Sequence, residues 1–489
     1  MTASAVRERL LASLEISPDA GSFRDRSNRV FRAGDRILRG VSKPAYENWK
    51  SASEAPFFKA LAGERKLIAT TDASGEEAAR AGALGEWPFA LAHQTVPFIS
   101  YPYEWSFSML KDAALLHLEI LEKAIPAGWI LKDSSAYNVQ FIGAAPVFID
   151  IPSFEPYRAG EPWGGYRQFC MMFLYPLMLK AYLGVDFGPI LRAYIDGVDP
   201  LVADRLLSRS ARWKKGVFSH VTLHAKMQSR ASASELDEAK RLTEDAGDAP
   251  EKKNKIRHSE AMVLGLIQGL RGTIAKMTSP DERTVWGDYD ADHSYSDASL
   301  QKKKVFIEKH ARSGAYRKVW DIGCNTGVFS RLCAPFADQV ISIDGDAKAI
   351  DRLYQREKRD GAGKILPMIV DLGNVSPNQG WRGAERKSLE KRGRPDLVLC
   401  LALIHHIVIA ANIPMSEFIN WLDDLGGDLI IEFVTAEDAM AQMLLRNKVD
   451  QYQDYTIAEF ERLVSARYEI ADSEELKGGH RKIYFLRRR

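Results

Sequence analysis

Residues 318–346 read KVWDIGCNTGVFSRLCAPFADQVISIDGD, and the order of residue types in that stretch decides the fold of the C-terminal half. An apolar run at 319–322 carries an acid at Asp321 and breaks into a short turn bounded by Gly323 and Gly327. Val328, Leu332 and Phe336 then recur at helical spacing, and a second apolar run at 340–343 ends on Asp344. Strand, tight turn, helix and strand make a βαβ half-unit with an acid where the second strand emerges. Glycines in the turn let backbone approach a ligand, the helix N-terminus offers free N–H groups, and Asp344 can accept from both hydroxyls of a ribose. The pattern suits a nucleoside. It lacks the GxGxxG spacing of dinucleotide binding and the Lys-Ser/Thr pair of a phosphate loop.

DIGCNTG followed by SIDGD resembles the first two motifs of class I S-adenosylmethionine-dependent methyltransferases. The resemblance implies that the turn with Asp321, Gly323, Asn325 and Gly327 faces the methionine end of that cofactor, and that Asp344 holds its ribose. Asn325 stands where the family has a middle glycine, and Asn enters left-handed backbone more readily than other side chains do. A third run, 365–370, ends at Asp371-Leu372, matching where the family holds adenine. The fourth, 396–403 (DLVLCLAL), runs into Ile404-His405-His406 and resembles the motif lining the slot between methyl donor and acceptor. One histidine is read as orienter or base, the other as packing. Two adjacent histidines point different ways and have no third ligand nearby, so no metal is expected. The fifth run, 428–434, contains Glu432, which is either held by a basic neighbour or set at the strand end to meet substrate. Candidate catalytic residues are therefore His405, His406 and Glu432.

Ahead of this sheet, 286–311 reads WGDYDADHSYSDASLQKKKVFIEKHA. In the family that segment folds over the cofactor, which makes Tyr289, Tyr295 and Lys304 candidate lid contacts; the aromatics suit packing of a domain seam equally well. Residues 380–394 (GWRGAERKSLEKRGR) carry six Lys/Arg among fifteen and read as a solvated loop. Two strands joined across Gly478-Gly479 close the chain as an antiparallel hairpin.

A chain of 489 residues exceeds one ordinary core, and two or three domains are expected. A formal net charge of +2, from 67 basic and 65 acidic residues, gives no support for a nucleic-acid-coating protein. Cys170, Cys324, Cys333 and Cys400 form no CxxC pair, which favours a reduced, cytoplasmic setting. No secretory signal is evident, and the most apolar segment, 169–179, is too short to span a bilayer.

In the N-terminal half, 23–41 alternates around Gly34-Asp35 as a hairpin would, and 45–61 reads as a helix. Residues 129–155, WILKDSSAYNVQFIGAAPVFIDIPSFE, place Asp133, Asn138 and Asp150 in an order that resembles the catalytic loop and metal-binding acid of protein-kinase-like phosphotransferases of the aminoglycoside type. That resemblance implies a proton-accepting Asp133, with Asn138 and Asp150 on magnesium. Arg39 stands where a lysine is expected, with Glu47 or Glu54 as its partner. The glycine-rich loop and the catalytic-loop histidine are missing, and Asp and Asn at these positions also suit turn caps. A degenerate lobe that binds substrate is the reading taken.

The fold expected is α/β: a Rossmann-like seven-stranded methyltransferase sheet over 259–489, preceded by an α+β, kinase-like N-terminal domain over 1–228 and a polar linker over 229–258. The function expected is S-adenosylmethionine-dependent methylation of a small-molecule or saccharide acceptor recognised by the N-terminal domain. The alternatives are a bifunctional kinase-methyltransferase using Mg-ATP and a non-catalytic cofactor-binding protein. Acids at three successive strand ends argue against the last.

Overall fold

The computed structural model describes residues 16–489 except 74, 84, 86, 208–210, 230–257, 281–296, 362, 447 and 449–450. Tyr289, Tyr295, Trp286 and almost all of the expected linker lie outside the described residues. The chain divides into two compact units, one of Met1–Val96, Leu110–Gln140 and Pro146–Asp281, the other of Pro97–Met109, Phe141–Ala145 and Glu282–Arg489.

The first unit carries an antiparallel sheet of β1 (Ile16–Pro18), β2 (Asn28–Ala33), β3 (Arg36–Val41), β4 (Thr70–Asp72) and β5 (Phe89–His93), in the order β1-β2-β3-β5-β4. The β2–β3 hairpin closes on Gly34, at φ 59°, a conformation glycine takes freely. The helix expected over 45–61 is two, Lys43–Glu54 and Pro56–Gly63. Pro56 forces the residue before it out of helical backbone, and Ala55 sits at φ −69°, ψ 143°. Short strands β6 (Trp129–Leu131), β7 (Val139–Ile142), β8 (Ala145–Phe148) and β9 (Phe154–Pro156) follow, β6 pairing with β9.

The second unit is built on β10 (Lys318–Ile322), β11 (Gln339–Asp344), β12 (Ile365–Ile369), β13 (Leu397–Cys400), β14 (Asp428–Val434), β15 (Tyr468–Leu476) and β16 (Arg481–Arg488). Their order is β12-β11-β10-β13-β14-β16-β15, with the first five parallel and β16 antiparallel to β14. The parallel strands are near-continuous apolar runs because both faces are covered. Val319, Val340, Ile365, Leu397, Leu399 and Ile430 join Phe306, Ile307 and Ile350 in one buried cluster. β10 and β13 are neighbours although 74 residues lie between the end of one, 322, and the start of the other, 397; in open parallel sheets the crevice outside the carboxyl ends of the strands at such a reversal of order is where ligands bind.

Two expectations need correction. The fourth strand ends at Cys400 rather than at 403, and Ala402 takes φ 50° in the turn that follows. The loop at 380–394 is not simply solvated: Leu389 is fully buried and the Arg392 side chain is 1% exposed. Among the described residues no helix is long and apolar enough to cross a membrane. All four cysteines are buried and free.

Candidate functional site

The turn after β10 takes the backbone its residue types allow. Gly323, Asn325 and Gly327 stand at φ 76°, 49° and 78°. Gly327 opens the helix Val328–Cys333, and a Cβ there would come 2.5 Å from Leu353 Cδ1. The N–H groups of Gly323 and Cys324 both donate to the carbonyl of Ile343, and Val370 N–H donates to the carbonyl of Asp344. These bonds gather the turn, the end of β11 and the end of β12 in one place.

Asp344 closes β11 with one carboxylate oxygen accepting from Asn325 N–H at 2.8 Å and the other from Asp346 N–H at 2.8 Å. Burial pushes its carboxyl above the usual range, and these N–H donors work against the shift. Asp346 caps the next helix through Oδ1, from Lys348 and Ala349, while its buried Oδ2 has no hydrogen-bond partner. An orphaned acceptor beside a carboxylate that further donors would keep ionised suits a polyhydroxylated group such as a ribose. Asp371 lies exposed just past β12, its Oδ1 accepting from Gly373 N–H, and Leu372 is half-buried.

Asp321 is different in kind. It is 1% exposed, accepts from Ser330 Oγ at 2.6 Å, and is pushed up to about 6 by burial, opposed by that hydrogen bond and by the charge of Lys303. Ser342 Oγ donates to Ser330 Oγ at 2.8 Å, so a short polar chain runs between β10, β11 and the helix after the turn.

Glu432, at the middle of β14, is fully buried and held by two cations: Lys303 Nζ at 2.6 Å and Arg481 Nη1 at 3.6 Å. Arg481 in turn donates to Asp438 at 2.8 and 3.1 Å. Of the two readings of Glu432, the contacts are those of a carboxylate held by basic neighbours. Lys303 Nζ also lies 4.6 Å from the centroid of the Phe329 ring, and burial holds its ammonium below the usual lysine range. Sequence reasoning missed Lys303, naming Lys304 instead, which is only half-buried. The signal was present: Lys303, Phe306, Ile307 and His310 share the i, i+3, i+4, i+7 stripe that faces the core.

His405 and His406 follow the turn after β13, ring centroids 4.1 Å apart. His405 is 1% exposed, its Nδ1 has no hydrogen-bond partner, and burial drives its pKa down to about 3, with His406 and Arg481 adding to the fall. A ring held so low stays neutral, so it hydrogen-bonds rather than collects protons. His406 is half-buried and is lowered by burial and by Arg481.

In the first unit, Asn138 Nδ2 donates to Asp133 Oδ1, while Arg39 Nη1 donates to Asp150 and to Asn28 Oδ1 at 3.2 Å. Arg39 thus finds Asp150 rather than Glu47 or Glu54; Glu47 pairs with Lys43 at 3.8 Å. Burial, then the charge of Asp150, raises Asp133 to about 6. Among the described residues no group of three or more His, Cys, Asp and Glu side chains is placed to hold a metal ion.

A family model described as a methyltransferase domain matches residues 292–467. The nodulation protein NoeA of Rhizobium meliloti (strain 1021) is 34% identical over 475 residues, covering 96% of each chain. The chain belongs to the NoeA family. Two solved structures each cover about two fifths of the chain. The N-methyltransferase NodS from Bradyrhizobium japonicum WM9 with S-adenosyl-l-homocysteine is 16% identical over 40% of this chain and 90% of that one, at a TM-score of 0.28. The bifunctional kinase-methyltransferase WbdD is 16% identical over 42% and 43%, at 0.30. Likenesses that low say nothing about an acceptor. With a methyltransferase domain on its α/β sheet, this member of the family is an S-adenosylmethionine-dependent methyltransferase, and S-adenosylmethionine is its cofactor.

Proposed function

We propose that the crevice at the carboxyl ends of β10, β11, β12 and β13 is where the cofactor lies, with Asp344 on its ribose, Asp371 and Leu372 on its adenine, and the turn Gly323, Asn325 and Gly327 along its methionine end. The observation that carries this is the bonding of Asp344 to Asn325 N–H, which ties the acid to the turn through backbone. The cofactor supplies a methyl group on a sulfonium, already a good electrophile, so the protein has chiefly to orient an acceptor and keep water out. His405 and His406 serve as neutral hydrogen-bonding groups that shape the acceptor slot. Lys303, Glu432, Arg481 and Asp438 form a charge-balanced buried set that fixes β14 and β16 beside it. Tyr289, Tyr295 and Lys304 remain proposed lid contacts.

The test is Asp344→Ala with calorimetric titration of S-adenosylhomocysteine. A loss of at least about tenfold in affinity is expected, the scale of removing a hydrogen-bonded charge; wild-type affinity would overturn the assignment.

The same proposal assigns acceptor recognition to the 1–228 domain, for a hydroxylated small molecule or saccharide, at Asp133, Asn138, Asp150 and Arg39. Carboxylate, amide and guanidinium gathered in one unit offer both acceptors and donors to sugar hydroxyls. Magnesium fits less well, because Asp150 is engaged by Arg39 and Asn138 turns its amide NH2 to Asp133. Thermal stabilisation by Mg-ATP that is abolished in Asp150→Ala would favour the kinase-like reading instead.

A further inference from the structure

The second unit contains a stretch that the sequence gives to the N-terminal half, Pro97–Met109, and its polar contacts converge on one side chain. Glu104, 1% exposed, accepts four hydrogen bonds: from Tyr101 N–H at 2.9 Å, Ser376 Oγ at 2.6 Å, Arg392 Nη1 at 2.7 Å and Arg392 Nη2 at 2.6 Å. Arg392 also donates to the carbonyl of Ile99 at 2.9 Å, and its guanidinium lies 5.2 Å from the Phe98 ring and 4.8 Å from that of Tyr101. The hydroxyl of Tyr101 accepts from Lys387 N–H at 2.8 Å.

Ser376, Lys387 and Arg392 all belong to the connection from β12 to β13, which begins at the proposed adenine contacts. Ser376 lies five positions after Asp371, and Asn374 N–H bonds back to the Asp371 carbonyl. Ser376 carbonyl accepts from Leu389 N–H, closing the two ends of the connection on each other at the point Glu104 holds. The stretch is itself anchored to the sheet: Phe98 meets Trp320 of β10 edge-on at 5.7 Å, and Ser108 donates twice to Asp351 on the helix Ala347–Asp360.

We propose that Pro97–Met109 is a brace for the adenine side of the cofactor pocket, with Glu104 the positioning residue that holds the β12–β13 connection in its binding conformation. This rests on the reading of Asp371 and Leu372 as adenine contacts. Glu104 touches no reacting atom. It acts by pre-paying the ordering of a connection the cofactor would otherwise have to order on binding. A fully bonded buried carboxylate is the suitable device, because the connection cannot move without leaving that charge unpaired.

The experiment uses the full chain and the variants Glu104→Gln, Arg392→Lys, Ser376→Ala and Asp371→Ala. Calorimetry with S-adenosylhomocysteine gives affinity, and transfer to acceptor in a cell extract gives the KM for S-adenosylmethionine and the maximal rate. Glu104→Gln and Arg392→Lys are expected to weaken affinity by about tenfold or more, with KM rising and the maximal rate within about twofold, the signature of lost binding alone. Ser376→Ala, which removes only the single contact nearest Asp371, is expected to give a smaller shift of the same kind and covers the case in which the charge variants fail to fold. Wild-type affinity in Ser376→Ala and in any charge variant that folds, while Asp371→Ala binds weakly, overturns the brace. Wild-type affinity in Asp371→Ala with weak binding in Ser376→Ala leaves the brace standing and removes the adenine assignment beneath it.

Discussion

Lys303 shows what one buried charge does to its neighbours. Its ammonium and the guanidinium of Arg481 together neutralise Glu432, and Asp438 completes the balance. Removing one member of such a set leaves an uncompensated charge, which costs about 3–5 kcal/mol, whereas removing both members of a pair costs far less. Lys303→Met is therefore expected to lower the urea midpoint markedly, and Lys303→Met with Glu432→Gln to recover part of it. Asp321 gives a pH dependence of definite sign. Its folded value, about 6, lies above the ordinary 3.8, so the folded state holds the extra proton between them. The stability this contributes is complete below 3.8 and is lost as pH rises through about 6. Asp133 titrates over the same interval, from 3.8 to about 6. His405, His117 and His93, each held down at about 3 by burial, act with the opposite sign over that interval, so the acids are read by difference. The melting temperature of the wild type relative to Asp321→Asn, and relative to Asp133→Asn, should fall as pH rises from 3.8 to about 6; a difference from Asp321→Asn that does not change with pH would remove that residue from the account.

Among elements, those whose boundaries are set by local chemistry were legible in the sequence. β14 spans Asp428–Val434 as its apolar run indicates, and Thr456 caps the helix Ile457–Ser465 by accepting from Glu459 N–H, as a Thr-x-x-Glu string implies. Asn325 takes the left-handed backbone that its replacement of a glycine requires. The β12–β13 connection was not legible, because what orders it is Glu104, 288 residues away from Arg392 in sequence and invisible to any local pattern. The three charged groups around Glu432, namely Lys303, Arg481 and Asp438, were hidden for the same reason, although Lys303 declared itself by helical spacing. The turn after β10 yields an element-scale prediction. At Gly327 a side chain meets both positive φ and the Leu353 methyls, so Gly327→Ala should be destabilised by roughly 2–4 kcal/mol. Leu353→Ala in the same chain relieves the clash but not the backbone strain, so denaturant unfolding should show partial recovery at most.

At the scale of the molecule, the order of residues along the chain and the grouping of residues into units do not coincide. A boundary drawn at 259 is natural in the sequence, since the methyltransferase strands and their covering helices all follow it. A chain starting there would nevertheless lack Phe98, Tyr101, Glu104 and Ser108. Arg392 would then sit with its guanidinium stripped of a bidentate carboxylate and two aromatic faces, and Ser376 would lose its acceptor. The β12–β13 connection would lose the contacts that order it, and the cofactor would have to order it on binding. The fragment 259–489 is accordingly expected to bind S-adenosylhomocysteine far more weakly than the full chain, or to aggregate. Supplying Pro97–Met109 as a peptide would not be equivalent, since the covalent chain delivers it at high effective concentration. Hydrogen exchange on the intact protein gives the complementary measurement. If Pro97–Met109 and the β12–β13 connection are ordered by one set of bonds, saturating S-adenosylhomocysteine must protect both together, because anything that binds the ordered state lowers the population of the opened one. Protection confined to the connection, with Pro97–Met109 exchanging as before, would show that the two open independently and that the fragment starting at 259 should keep its affinity.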